Sequence, residues 1–355
     1  MDHKTVQSAF VKLGIFFNDY LTNNYQSNMQ LATEDFQEFN LKCEQAHQEN
    51  PWFTKENIRY SLQQWAYILN EVNLKKWLKP YASKLNKNTP KTIGVVLAGN
   101  LPIVGFHDFL SVLISGNNFL GKLSSSDKIL LPAIAKVLHK IESKFKQKIS
   151  FTEGKLENFD AIVATGSNNS ARYFEYYFDK YPHIIRKNRN GIAVLTGNEQ
   201  NLELLAEDIF RYFGLGCRNV SKLYVPEGFD FEPLLVSFGK FEWIKNHYKY
   251  QNNYDYNKSI FLVNGIQHYD NGFVLLREEA SIPSPISVLH YEFYKNIEEL
   301  NIKLKGLEHQ LQCIISEDAK VENHLLPGQS QKPDLGDYAD GIDTLDFLLT
   351  IPSKK

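Results

Sequence analysis

The sequence predicts an α/β protein built on parallel sheets, and three observations carry that prediction. From Lys91 onward, short β-rich runs alternate with helical stretches of ten or more residues, the pattern of a parallel sheet covered on both faces. The chain has 355 residues, too many for one small core, so two domains are expected. Its 43% hydrophobic and 23% charged residues are those of a soluble globular protein.

The elements follow in order. Residues 1–88 read as helices joined by polar loops: "MDHKTVQSAFVKLGIFFNDYL" is amphipathic, and "ENIRYSLQQWAYILNEVNLKKWLKPYASKL" keeps helical spacing up to a basic, proline-containing end. "TIGVVLAGN" is a strand, "HDFLSVLISGN" a helix stopped at Gly116, and "NFLGKLSSS" a strand entering a polar loop. "LLPAIAKVLHKIESKF" is a helix, "FDAIVATGS" a buried strand, "NSARYFEYYFDKY" a helix and "GIAVLTG" a strand. Further strands are expected near 221–226, 273–277, 286–291 and 310–316, and "GDYADGIDTLDFLLTIPSKK" reads as a short strand with a polar tail.

The bulk numbers exclude several classes. A net charge of −2 with both signs mixed along the chain lacks the concentrated basic field that nucleic-acid binding needs. No apolar run approaches the roughly 20 residues of a membrane span, and the N-terminus lacks a signal peptide's apolar centre and cleavage site. Cys43, Cys217 and Cys313 are odd in number and scattered, which argues against a disulfide framework and for a reduced, cytoplasmic protein.

Four stretches stand out as candidate chemistry. Asn100, Lys122 to Ser126 and Gly166 to Asn169 each follow a strand, where parallel sheets bind their ligands. In "DIFRYFGLGCRNVSKLYVPEG" a cysteine stands between Gly214 and Gly216, at the joint of a helix and a strand. Flexible, uncrowded flanks suit a reactive thiol, although a small apolar residue packed beneath a helix end is the plain alternative.

Several motifs in this order resemble the aldehyde dehydrogenase superfamily. "AGNLPIVGFHDFLSVLISGNNFLGKLSSSD" is similar to its Asn-Phe-Pro loop, helix, Gly-Asn turn and Lys-Pro-Ser strand end; "VATGSNNSARYF" is similar to its Thr-Gly-Ser turn. "NGIAVLTGNEQNLELLAEDIFRYFGLGCRNVSKLYVPEG" resembles the segment bearing the catalytic cysteine, with Leu215 where the family usually has Gln, and "REEASIPSPISVL" resembles its Glu-Glu-Ile-Phe-Gly-Pro segment. Together with "LPGQSQKPDLGDYADGIDTLDFLL", these resemble most closely the LuxC-type acyl-CoA reductases.

The resemblance implies an aldehyde dehydrogenase-like fold with two Rossmann-like parallel-sheet domains and a helical N-terminal region. The expected division is a helical region over 1–88, a nucleotide-binding domain over 89–195, a catalytic cysteine domain over 196–325, and a C-terminal return strand or interface segment over 326–355. Cys217 becomes the nucleophile, and the Asn100 amide with the Cys217 backbone N–H becomes the oxyanion donor pair. Lys122 and Ser124 fall near the adenine ribose. Ser125 stands where NAD-preferring members often carry an acidic residue, which favours NADPH over NADH. Gly166 and Ser167 open a helix toward the pyrophosphate, and Glu279, with Glu278, corresponds to the acidic pair on the nicotinamide ribose. No metal is implied.

One absence bears on the reaction. The superfamily's general-base glutamate aligns with Ile185, and no acidic residue lies between Asp179 and Glu199. Without that base, hydrolysis of an acyl-enzyme should be slow, whereas thiol exchange and hydride transfer remain open. The expected activity is NADPH-dependent reduction of an acyl-CoA, or another acyl thioester, to the aldehyde. The alternatives are an acyl-phosphate reductase of the same fold and a degenerate member that only binds nucleotide or a partner. The resemblance also implies a homo-oligomer and allows an acyl-transferring partner protein.

Overall fold

The computed structural model describes residues 2–25 and 31–352. They fall into two compact units, Met1–Lys187 with Asp334–Lys355, and Asn188–Pro333. The first unit begins with helices α1 (His3–Thr22), α2 (Thr33–Glu49), α3 (Lys55–Ile68), α4 (Glu71–Leu78) and α5 (Ala82–Leu85). Short polar side chains start them: Asp2 accepts from the Thr5 N–H, Thr54 from Asn57 and Asn70 from Asn73, each satisfying a first-turn donor. In α1, Val6, Phe10, Leu13, Phe17 and Tyr20 are buried, the i, i+4, i+7 stripe of a helix with one face in a core.

The alternation then follows as β1 (Thr92–Val96), α6 (Phe106–Ile114), β2 (Asn118–Lys122), α7 (Leu130–Ile141), β3 (Ile149–Thr152), β4 (Ala161–Thr165), α8 (Asn168–Phe178) and β5 (His183–Arg186). These strands form a parallel sheet in the order β3-β2-β1-β4-β5. The N-terminal helices are no separate body, because their apolar residues join those of β1, β2, α6 and α7 in one core. Phe10 of α1 meets the rings of Phe106, Phe109 and Phe145 edge-on at 6.1–6.3 Å.

The second unit runs β6 (Asn190–Val194), α9 (Leu202–Phe210), β7 (Val220–Pro226), α10 (Glu232–Ser237), α11 (Tyr248–Val263), β8 (Tyr269–Asp270), β9 (Leu275–Glu278), β10 (Val288–Tyr294), α12 (Ile297–Gly306), β11 (Leu311–Ile315) and β12 (His324–Leu325). Its sheet has the order β12-β11-β6-β7-β10-β9-β8, parallel except for the β8–β9 pair. The chain returns to the first unit with α13 (Thr344–Thr350).

Two elements depart from the sequence expectations. The strand "GIAVL", grouped above with residues 89–195, pairs with β7 and β11 as a central strand of the second sheet. The C-terminal stretch expected as a return strand is α13 instead. Asp343 caps it by accepting from the Asp346 N–H, and Leu345 and Leu348, three residues apart, enter the first unit's core. A helical spacing of apolar residues behind an Asx cap outweighs a short β-rich reading. Among the described residues no helix is long and apolar enough to cross a membrane, and no group of His, Cys, Asp and Glu is arranged to hold a metal ion.

A buried ion pair fixes the first unit's last helix. The Arg186 guanidinium at the end of β5 donates to Asp108 of α6 at 2.7 Å and to the Thr344 hydroxyl at 2.7 Å, with both charged side chains under 10% exposed. Removing one member leaves an uncompensated charge in the core. Asp108→Ala should therefore destabilise the first unit by about 3–5 kcal/mol, read as a lowered urea midpoint.

Candidate active site

In the first unit the strands deliver the predicted residues to one edge. Val96 is level with both Lys122 and Ala164, so the loops after β1, β2 and β4 leave the same carboxyl-terminal edge, bringing Asn100, Lys122, Ser124, Ser125, Gly166 and Ser167 there. Asn100 and Ser125 are exposed; Lys122 and Ser124 are half-buried. The first two loops touch: a Cβ on Gly99 would stand 2.5 Å from the Ser124 Oγ, so only glycine admits the approach. Ser124 also braces its own loop, accepting from the Ser126 N–H at 3.2 Å.

The loop bearing Asn100 is strained and held from several sides. Ile103 has φ +52°, a conformation that β-branched residues rarely adopt and that clusters at functional sites. Asp127, in the neighbouring loop, accepts from the N–H groups of Ile129 and Leu130 at the start of α7, at 3.2 and 3.1 Å. Burial raises the Asp127 pKa despite these donors. From the helical region, Asn50 donates to the Ser126 carbonyl at 3.1 Å and Ser61 to the Pro102 carbonyl at 3.3 Å. At the third loop, Ser167 caps α8 by accepting from the Ser170 N–H at 3.2 Å, and a Cβ on Gly166 would strike Ser170 and Phe174 at 2.8 and 2.9 Å. His107, near Asn100 in sequence, is neutralised by burial; it bonds the Leu335 carbonyl at 3.0 Å and packs among Trp65, Trp77 and Tyr338. Its place is in the packing.

In the second unit Cys217 is reached through an unusual backbone. After α9, Tyr212 (φ 55°, ψ 26°), Phe213 (φ 60°, ψ 24°) and Gly214 (φ 74°) form three successive left-handed residues. Non-glycine residues in this conformation cost roughly 1–2 kcal/mol each and normally occur singly. Packing holds the turn: the Phe213 ring lies 4.4 Å from His247 and 6.0 Å from both Trp243 and Tyr250. The chain then makes a tight turn, closed by the Asn219 N–H donating to the Gly216 carbonyl at 3.0 Å, with Cys217 at its corner. Cys217 is exposed and in no disulfide, whereas Cys43 and Cys313 are buried. Burial pushes each of those two thiols up to about 12, so they stay protonated, in keeping with packing roles.

The turn rests on β6. A Cβ on Gly191 would meet the Arg218 and Asn219 carbonyls at 2.8 Å each. The β6–β7 ladder slips between Gly191 and Ile192, and the β11–β6 ladder between Leu311 and Cys313. Such irregularities commonly flank active sites, where they re-aim side chains. Around the turn, Arg218 donates to the Ser330 carbonyl at 2.6 Å, and the Cys313 thiol donates to the Arg218 carbonyl at 3.6 Å. Asp208, fully buried on α9, accepts from the N–H of Gly328 at 2.6 Å and from the N–H and hydroxyl of Ser330 at 3.1 and 2.6 Å.

Glu279 does not join this turn. Its N–H donates to the Tyr291 carbonyl at 3.0 Å, and Tyr291 is level with Leu223. It thus stands on the order of 10 Å further along the strands than the start of β7. Its carboxylate is paired with Arg277 and accepts from the Ser281 N–H. Asp127, Asp208 and Asn219 were not singled out by the sequence. The available signal was a short polar side chain beside a turn, which dozens of positions share.

A unit with a five-stranded parallel sheet and a unit with a seven-stranded sheet, an exposed cysteine preceding its middle strand, make up the aldehyde dehydrogenase fold. Aldehyde dehydrogenase 21 of Physcomitrella patens, in complex with succinate, matches with TM-score 0.63 at 12% identity over 98% of this chain and 84% of that one. Indole-3-acetaldehyde dehydrogenase of P. syringae, in complex with NAD+ and IAA, matches with TM-score 0.61 at 11% identity over 93% and 75%. An NADP-dependent enzyme of E. coli gives 0.58 at 11% identity over 90% and 74%. The chain belongs to the acyl-CoA reductase (LuxC) family, whose sequence profile matches residues 12–230. No curated protein matches the sequence.

Asp208 provides a test of how the segment around Ser330 is held. Burial raises its pKa from 3.8 to about 6. The native carboxyl therefore holds a proton that the unfolded one has released, and this stabilisation is lost as pH rises from about 4 through 6. The stability of the wild type relative to Asp208→Asn should fall across that window, as read by urea denaturation of both proteins at a series of pH values.

Proposed function

We propose that this chain reduces an acyl thioester to the aldehyde with NADPH, through an acyl-enzyme on Cys217. The observation that carries the reading is the exposed thiol of Cys217, presented at the corner of a turn that follows three left-handed residues. Strain of this kind is kept where geometry serves a function. Family membership and fold support chemistry at the acyl and aldehyde level, and the nicotinamide-binding neighbours support a nicotinamide cofactor.

The residues at the carboxyl-terminal edge of the first sheet fit such a cofactor. Gly166 keeps the backbone low at the start of α8, where a Cβ would collide with Phe174, so the helix's N-terminal amides can accept a pyrophosphate. Lys122 and the exposed hydroxyl of Ser125 would hold the adenine ribose and its 2′-phosphate. When bound, the nicotinamide supplies the hydride that takes the acyl group to the aldehyde level.

The Cys217 thiolate attacks the thioester carbonyl, forming the C–S bond to the enzyme. The Cys217 backbone N–H stabilises the oxyanion, a role the family resemblance also gives to the Asn100 amide. The oxyanion collapses, the bond to CoA breaks, and CoA departs as a thiolate that takes a proton from water. After reduction the thiohemiacetal is an oxyanion; its collapse breaks the C–S bond, releasing the aldehyde and restoring the Cys217 thiolate. Ile185 is a half-buried strand residue of β5 and cannot activate water, so the acyl-enzyme is long-lived until hydride or a thiol reaches it.

Intact mass after mixing the protein with a panel of acyl-CoAs, without nucleotide, tests the first half-reaction. An adduct of acyl mass is expected, absent in Cys217→Ser and discharged by NADPH; no adduct from any acyl-CoA would overturn the reading. Asn100→Ala should slow adduct formation about 10²–10³-fold. Ser125→Glu should shift preference from NADPH toward NADH, measured as the ratio of the two kcat/KM values; an unchanged ratio would remove Ser125 from the ribose site.

A further inference from the structure

We infer that Asn219 is a positioning residue for Cys217, an inference that rests on Cys217 being the acyl acceptor. Its side chain is 1% exposed and bonds the chain on both sides of the strained segment. On the near side, its carbonyl accepts from the Gly216 N–H at 2.8 Å, next to the cysteine. On the far side, its amide donates to the carbonyls of Asp208, Ile209 and Arg211 at 3.0, 3.3 and 2.8 Å.

Those three carbonyls belong to the last turn of α9 and the residue after it, where a helix runs out of its own donors. The chain leaves the helix through left-handed residues, and the Asn219 amide donates to the helix-end oxygens. One planar amide therefore spans the left-handed turn like a strut, with the helix end at one edge and the cysteine turn at the other. Leaving the carbonyls buried and unsatisfied would be costly, and without the strut Tyr212 and Phe213 can relax toward right-handed or extended backbone. Relaxation there rotates everything downstream of it, and the first reactive atom downstream is the Cys217 sulfur. Gly191 supports the same turn from beneath, since its missing Cβ lets the Arg218 and Asn219 carbonyls lie against β6.

A displaced thiol stays exposed and open to small reagents, but it no longer meets a bulky thioester in line. A misplacement of about 1 Å can slow such a reaction about 10²-fold. The test uses the full-length protein and two variants. Asn219→Asp keeps the acceptor for Gly216 and loses the amide donors; Gly191→Ala keeps the Asn219 amide but pushes on the Arg218 and Asn219 carbonyls from β6. Two rates are measured on protein confirmed as folded by circular dichroism: alkylation of Cys217 by iodoacetamide, and acyl-adduct formation from an acyl-CoA. Alkylation should change only a few-fold, while acylation falls about 10²-fold in both variants. Acylation at the wild-type rate in Asn219→Asp, or alkylation and acylation falling together with the melting temperature, would make Asn219 a residue of the fold alone and overturn the inference. If the wild type alkylates at Cys217 but forms no acyl adduct, the acyl-enzyme reading itself fails, and the inference falls with it.

Discussion

Every buried main-chain polar group needs a partner, and in this protein several irregular stretches obtain theirs from interior Asn and Asp side chains. Asn117, fully buried, accepts from the Lys91 N–H at the entrance to β1 and donates to the Leu348 carbonyl of α13. Asp127 gathers the N–H groups of Ile129 and Leu130. Asp208 gathers those of Gly328 and Ser330. Helices and strands satisfy themselves, so these side chains decide where the loops run.

The helical N-terminal region belongs to this scheme. Asn50 and Ser61 lie between and within the first helices, yet each bonds a carbonyl in a loop at the sheet edge, Ser126 and Pro102 respectively. Their donors reach the loops because α1 to α3 share a core with β1, β2 and α6. What reads in the sequence as a separate helical preamble is, in the structure, the backing of the loops after β1 and β2.

The alternation of strands and helices was legible because period and length distinguish "TIGVV" from "HDFLSVLI" without any tertiary information. Cys217 stands out in the sequence because glycines flank it, and the loops after β1, β2 and β4 share one edge because the strands between them are parallel. Three things were not legible. The membership of "GIAVL" in the second sheet depends on pairing partners 30 and 120 residues away. The left-handed conformation of Tyr212 and Phe213 contradicts local preference, and its supports, the packing of Phe213 on His247, Trp243 and Tyr250 and the bonds of Asn219, are tertiary. The C-terminal helix has strand-forming residues in "LDFLLTI", and the partner that decides its state is α6, more than 200 residues earlier.

The discontinuity of the first unit has a consequence for how the molecule is made. Residues 188–333 form a contiguous unit that can close on itself as soon as they have emerged from the ribosome. The first unit cannot. Its core includes Leu335, Leu345 and Leu348, Tyr338 receives the Trp77 indole N–H, and Thr344 receives the Arg186 guanidinium. Until those residues are synthesised, the nascent chain carries a five-stranded sheet with α6 uncapped and a guanidinium short of one partner. The second unit is thus finished while the first still waits, and the segment made last completes the unit made first.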